Sequence, residues 1–121
     1  MDSKKKPQLF IYGSLKRGHF NHTRLGMDKF TFIKEYELPG WKLVSLGSYP
    51  GMVRADSSDS KVKGEIYELP SLDSKEYQII YRVEANAGFE EREVNDEGLL
   101  AFVYLIYEGY EPDVPNGEWL P

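Results

Sequence analysis

Cysteine is absent from the 121 residues, which excludes a disulfide framework, a thiolate nucleophile and a cysteine-based zinc site. Histidine is almost as scarce, with His19 and His22 the two present, three apart in one polar stretch. A zinc site needs a third and a fourth ligand, and a Ser-His-acid triad needs members from separate segments, so neither is adopted here. No apolar run approaches the roughly 18 residues that span a membrane, and the first residues lack the apolar centre of a signal peptide. Basic charge is also short: 15 Lys and Arg stand against 20 Asp and Glu, a net charge of -5. The one basic run, Lys4-Lys5-Lys6, reads as a solubilising tail and not as a nucleic-acid face. The expectation is a cytoplasmic protein that binds neither nucleic acid nor membrane.

What is present is aromatic. Apolar residues make up 40% and aromatics 14%, with nine Tyr and six Phe, a balance that favours strands and a pocket with polar-tipped walls over a helical bundle. The length suits one domain, residues 1–121, with irregular tails at 1–7 and 110–121. Leu9-Phe10-Ile11-Tyr12, between Pro7 and Gly13, reads as a buried strand. Residues 16–29 are loop with a short helix, and 31–38 and 41–46 are strands joined at the turn Pro39-Gly40. Met52-Val53 follows a second Pro-Gly pair. Residues 61–69 form a strand in which neither face is cleanly polar, as in a covered sheet. Pro70, Ser71 and Ser74 announce the one principal helix, in which Tyr77, Ile80 and Val83 recur at helical spacing beside Ile79, and Asn86 and Gly88 end it. A hairpin of 89–94 and 99–108 closes the pattern. The class is α+β: about six strands and one principal helix with short flanking helices. Closure into a small mixed β-barrel would hide the strand edges best.

Two features carry chemistry. The segment Tyr12-Gly13-Ser14-Leu15-Lys16-Arg17-Gly18 has the parts of an anion cradle. A glycine at a strand end lets backbone approach a ligand, successive N–H groups can converge on an oxyanion, Ser14 adds a hydroxyl and Tyr12 could set its phenol at the rim. The same residues also serve as an ordinary turn, and the segment is not a P-loop. Glu84 lies four residues after Ile80 and seven after Tyr77, on the face expected to be buried. Burial raises a carboxyl pKa, and a Glu tuned to about 6–7 can take and return a proton near neutrality. An ion pair with Arg82 or Arg92, a tyrosine partner, or a frayed helix end would explain Glu84 equally well. Glu65 and Glu68 face opposite ways on their strand, so one of them points inward as a rival. Trp41 and Trp119 read as packing residues.

Taken in order, these segments resemble the γ-glutamylcyclotransferase-like family, which includes γ-glutamylamine cyclotransferases and AIG2-like proteins. The resemblance begins at Phe10-Ile11-Tyr12-Gly13-Ser14-Leu15-Lys16-Arg17-Gly18. It continues through Tyr49-Pro50-Gly51-Met52-Val53 and Val62-Lys63-Gly64-Glu65-Ile66-Tyr67-Glu68. It ends with Tyr81-Arg82-Val83-Glu84-Ala85-Asn86-Ala87-Gly88-Phe89 and Val114-Pro115-Asn116-Gly117-Glu118-Trp119. It implies a six-stranded barrel with flanking helices, substrate held by Tyr12, Gly13, Ser14 and Leu15, and Glu84 as general base and acid. The implied reaction is a cyclisation of acyltransfer or lyase type, turning a γ-glutamyl group into 5-oxoproline with release of an amine or amino acid. It needs no metal and no organic cofactor, and its partner is the small substrate, met by a monomer or weak homodimer. Tyr81-Arg82 replaces the family's leucine-aspartate pair, and Ala85 replaces its glycine after the acid. The alternative of a different class is a small-ligand binding domain that uses the same pocket without turnover.

Overall fold

The computed structural model of the chain describes residues 6–19, 21–57 and 59–120. The apolar run after Pro7 forms β1 (Gln8–Ile11). It lies in the middle of a five-stranded sheet, antiparallel to β5 (Lys61–Glu68) and parallel to β7 (Leu100–Tyr104). β2 (Thr31–Pro39) pairs with the far edge of β5, and β6 (Phe89–Glu93) with the far edge of β7. A strand covered on both faces is continuously apolar and does not alternate. Leu9, Phe10 and Ile11 are accordingly buried, and withdrawing each such side chain from water contributes about 1.5–3 kcal/mol. β5 is buried on both faces as well, through Val62, Ile66, Tyr67 and the backbone of Gly64. β3 (Trp41–Ser45) and β4 (Pro50–Arg54) pair only with each other, in a second sheet.

The α+β class read from the sequence is the class observed, with one principal helix, α2 (Lys75–Asn86). The flanking helical elements are the short α1 (Asn21–Arg24) and the 3-10 turn Met27–Lys29. Closure differs from the expectation. The described residues form seven strands, and the ladder is open, because β4 meets β7 by packing and not by hydrogen bonds. A β-carbon on Gly51 would lie 3.0 Å from Cβ and Cγ of Tyr104, so the β4 backbone rests directly on that side chain. Gly40 does make the turn after β2, with φ +86°, but the strands it joins enter different sheets. Its N–H donates to the Ser60 carbonyl and its own carbonyl accepts from Ala55 N–H, which ties the corner to other strands.

Three further boundaries shift. β7 stops at Tyr104, short of residue 108. The C-terminal tail is not wholly irregular: Ser45 N–H donates to the Pro112 carbonyl, Val114 N–H to Leu43, and Pro115–Gly117 forms a 3-10 turn. Along α2, Tyr77 and Ile80 are buried, whereas Ile79 and Val83 are 45% and 42% exposed. The helix is capped by Ser74, whose hydroxyl accepts from Tyr77 N–H at 3.2 Å, so Pro70 and Ser71 lie ahead of the cap. Trp41 is buried and donates Nε1–H to the Val94 carbonyl, and Trp119 packs on the core. Most of the N-terminal lysine run and Pro121 lie outside the described residues. Among those described, no helix is long and apolar enough to cross a membrane.

Gly64 has no room for a side chain: a β-carbon there would lie 2.3 Å from the Ile11 carbonyl oxygen and 2.7 Å from the Phe10 ring. Gly64→Ala is expected to lower stability by about 1–3 kcal/mol, the range for overpacking a filled core. Urea denaturation with an unchanged slope reads this directly, and an unaltered midpoint would contradict the packing described.

Candidate active site

β1 ends at Ile11, and the chain turns at once. Lys16 N–H donates to the Gly13 carbonyl at 3.0 Å, which makes residues 13–16 one tight turn. Two contacts hold the turn in place. A β-carbon on Gly13 would lie 3.1 Å from Cγ of Pro50 at the start of β4, so the turn packs tightly against the second sheet. On the other side, His22 of α1 meets the Leu15 carbonyl at 2.8 Å through Nδ1. A carbonyl only accepts, so this nitrogen carries the proton. The histidine thus serves as a clamp on the loop.

Tyr12 to Leu15 and Glu84 line one cavity of about 410 Å³. Phe10, Ile11, Phe89 and Phe102 supply the sheet side, Ser48, Tyr49 and Pro50 the β3–β4 connection, and Val83 and Ala87 the end of α2. Val83 is exposed because it faces this open space. Glu84 is the one charged side chain among the described lining residues. It is half-buried, makes no hydrogen bond or ion pair among the described residues, and burial pushes its carboxyl up to about 7. Arg92 does not reach it, pairing with Glu90 instead. Tyr12 is not at the rim: its hydroxyl is buried and donates to the Phe102 carbonyl at 2.6 Å. Burial first, and the nearby Glu84 charge second, raise its pKa well above the usual phenol value, so it is a neutral wall of the cavity.

The comparisons with known proteins bear on this arrangement. The sequence profile of the family described as "Gamma-glutamyl cyclotransferase, AIG2-like" matches residues 9–121. The chain belongs to that family. A Vibrio cholerae protein named "Putative gamma-glutamylcyclotransferase" is 26% identical over 114 residues, 92% of this chain and 93% of that one. Among solved structures, an uncharacterized Pyrococcus horikoshii protein superposes with a TM-score of 0.72 at 22% identity, covering 93% of this chain and 88% of that one. An AIG2-like protein of Mus musculus gives 0.67 at 18% identity, with 97% and 96% covered. At such identities the structural likenesses establish the fold.

In this family member the rival carboxylates stand elsewhere. Glu65 is buried, but it accepts from Arg17 N–H at 3.1 Å, Arg17 Nε at 3.3 Å and Tyr67 hydroxyl at 2.8 Å, outside this cavity. Glu68 is partly exposed at the end of β5, and Glu91 is held by the Tyr77 hydroxyl. Sequence reasoning missed the walls formed by Ser48, Tyr49, Val83, Phe89 and Phe102. The Tyr49-Pro50-Gly51 punctuation is the signal that could have found the first of these. Nothing local marks Phe102, which reaches the cavity only because β7 pairs with β1.

The raised carboxyl has a consequence for stability. The native group takes up its proton near pH 7, against 4.5 for the ordinary value. Between these values the native state binds more protons than the unfolded one, so stability present below about pH 4.5 is lost as pH rises through 7. The full shift corresponds to about 3 kcal/mol. Glu84→Gln is expected to match wild type near pH 4.5 and to exceed it by up to about 3 kcal/mol at pH 8.5 in urea denaturation. The same difference at both pH values would show that Glu84 is not desolvated.

Proposed function

We propose that the chain is a cyclotransferase that converts a γ-glutamyl compound into 5-oxoproline and a free amine or amino acid. The observation that carries this reading is a lone carboxyl, raised to about 7 by burial, in an apolar cavity shared with the Tyr12–Leu15 turn. Membership in the family supports it.

The chemistry follows from these groups. At neutral pH the substrate's α-amine is an ammonium and cannot attack. Glu84, with a pKa near the working pH, accepts its proton. The freed nitrogen lone pair attacks the γ-carbonyl carbon, and the carbonyl electron pair moves onto oxygen. The Tyr12–Leu15 segment lines the cavity, and a backbone N–H it turned toward that oxyanion would be worth about 2.7–4 kcal/mol. When the carbonyl re-forms, the bond to the leaving nitrogen breaks as Glu84 returns its proton to that nitrogen. The ring nitrogen still carries two hydrogens after the attack. It gives up one to the emptied Glu84 carboxylate, leaving the lactam N–H, and that proton passes on to the released amine. Nucleophile and electrophile belong to one molecule, so the cavity's main task is to hold it folded for ring closure. No metal or organic cofactor enters the reaction, and its setting is the cytoplasm.

Mass spectrometry of 5-oxoproline across γ-glutamyl amino acids, γ-glutamyl amines and γ-glutamyl-lysine tests the proposal. Glu84→Gln is expected to lose about 10²–10⁴ in kcat/KM while keeping its fold. The wild-type kcat/KM should rise with pH through about 7 as Glu84 ionises. Equal turnover by the variant would remove Glu84 from the chemistry. Ligand binding without turnover across the panel would make this a binding domain.

A further inference from the structure

The cavity shared by Glu84 and the Tyr12–Leu15 turn is not uniform from floor to mouth. Tyr12 and Leu15 are each 6% exposed, whereas Tyr49 and Val83 are 38% and 42% exposed. The glutamyl head is common to every γ-glutamyl compound, and the reacting groups lie with it between the turn and Glu84. The leaving group is the part that varies, and its way out runs past Val83 and Tyr49. A volume of about 410 Å³ falls in the range that encloses drug-sized ligands, so the leaving group has room of its own.

The cations nearest the turn are engaged elsewhere. Arg17 pairs with Glu65 and Glu35, and Lys16 and Lys63 line a separate, carboxylate-rich cavity of about 380 Å³. The mouth of the first cavity is apolar and aromatic instead. The Tyr49 ring centre stands 6.2 Å from that of Phe89, which stands 5.2 Å from that of Tyr104. Val83 and Ala87 line the mouth from the end of α2. The exposed Ile106 extends this rim, since a β-carbon on Gly88, between Ala87 and Phe89, would lie 3.4 Å from its Cδ1. Tyr49 is held in place by its own turn, in which its carbonyl accepts from Leu46 N–H at 2.9 Å. Exposed apolar surface on fixed elements gains free energy when a ligand covers it, and little is lost in ordering it.

We propose that the leaving group this site selects is an amine with a bulky apolar or aromatic body, and that Tyr49, Val83 and Phe89 select it. The inference rests on the cyclotransferase reading of the same cavity. Bonds form and break as given above, the amine departing with the proton that Glu84 returns to it. A leaving group that ends in charge gains less, because Glu84 is the one charged side chain among the described lining residues. Rim contacts are the same before and during ring closure, so they lower KM and leave kcat nearly unchanged.

The test measures 5-oxoproline release by the whole chain from γ-glutamyl-phenethylamide, γ-glutamyl-methylamide and γ-glutamyl-ε-lysine. The phenethylamide is expected to exceed each of the others by about tenfold or more in kcat/KM, through KM. Tyr49→Ala and Val83→Ser are each expected to lower the phenethyl-to-methyl ratio by about threefold or more. Thermal denaturation identifies a variant that has failed to fold, and the other variant then carries the comparison. Turnover of all three compounds without the preference, or folded variants that keep the wild-type ratio, would overturn the inference and leave the cyclotransferase reading intact. No 5-oxoproline from any of them would overturn that reading instead, and calorimetry on the wild type then decides the inference. Binding of the phenethylamide about tenfold tighter than the methylamide supports it, and equal or absent binding overturns it.

Discussion

The contact on which the rest depends is backbone to ring, between Gly64 of β5 and the Ile11 carbonyl and Phe10 side chain of β1. It lets β1 lie flush in the sheet, antiparallel to β5 and parallel to β7. Because β1 is central and buried, the point where it ends is a fixed point in the molecule. The turn that follows inherits that position, and Pro50 and His22 hold it from either side. A loop built this way on a rigid strand can present backbone N–H groups with little loss of order on binding.

The same arrangement explains why two cavities of opposite character share one turn. Leu15 belongs to an apolar cavity with a single carboxyl, and Lys16 to a polar one rich in carboxylates. In the first, removal of water leaves Glu84 without compensation, and its proton affinity rises. In the second, Glu65 is buried more fully but is met by three donors. Glu84 lies in its cavity without a partner, and that separates it from Glu65.

Legibility in the sequence followed the range of the interaction. β1, β5 and α2 were readable because each is decided by its own residues: an apolar run between Pro7 and Gly13, burial on both faces, and a Ser74 cap before a helical repeat. The open sheet was not, because closure depends on whether β4 offers β7 hydrogen bonds or a packed surface. Gly51 on Tyr104 chose packing, and no pattern within either strand states that. The turn at Gly40 was readable as a turn but not as a corner between two sheets, since the partners of β2 and β3 are distant in the chain. Exposure of Val83 was hidden for a like reason: helical spacing names a face, and the cavity decides what that face meets.

Glu84 and the segment Tyr12-Gly13-Ser14-Leu15 were candidates from the sequence alone, one by its spacing from Tyr77 and Ile80 and the other by a glycine at a strand end. Family order raised them together. Spacing could not tell an unpaired acid from one joined to Arg92, nor a rim phenol from the buried Tyr12 hydroxyl on Phe102. Those distinctions belong to the tertiary structure, because desolvation and hydrogen-bond partners come from residues far apart in the chain. The order of residues along the chain was enough to name those able to carry the chemistry. Only the packing of β1 between β5 and β7, with β4 and α2 around the turn, decided which of them share one cavity and which of the acids is left alone in it.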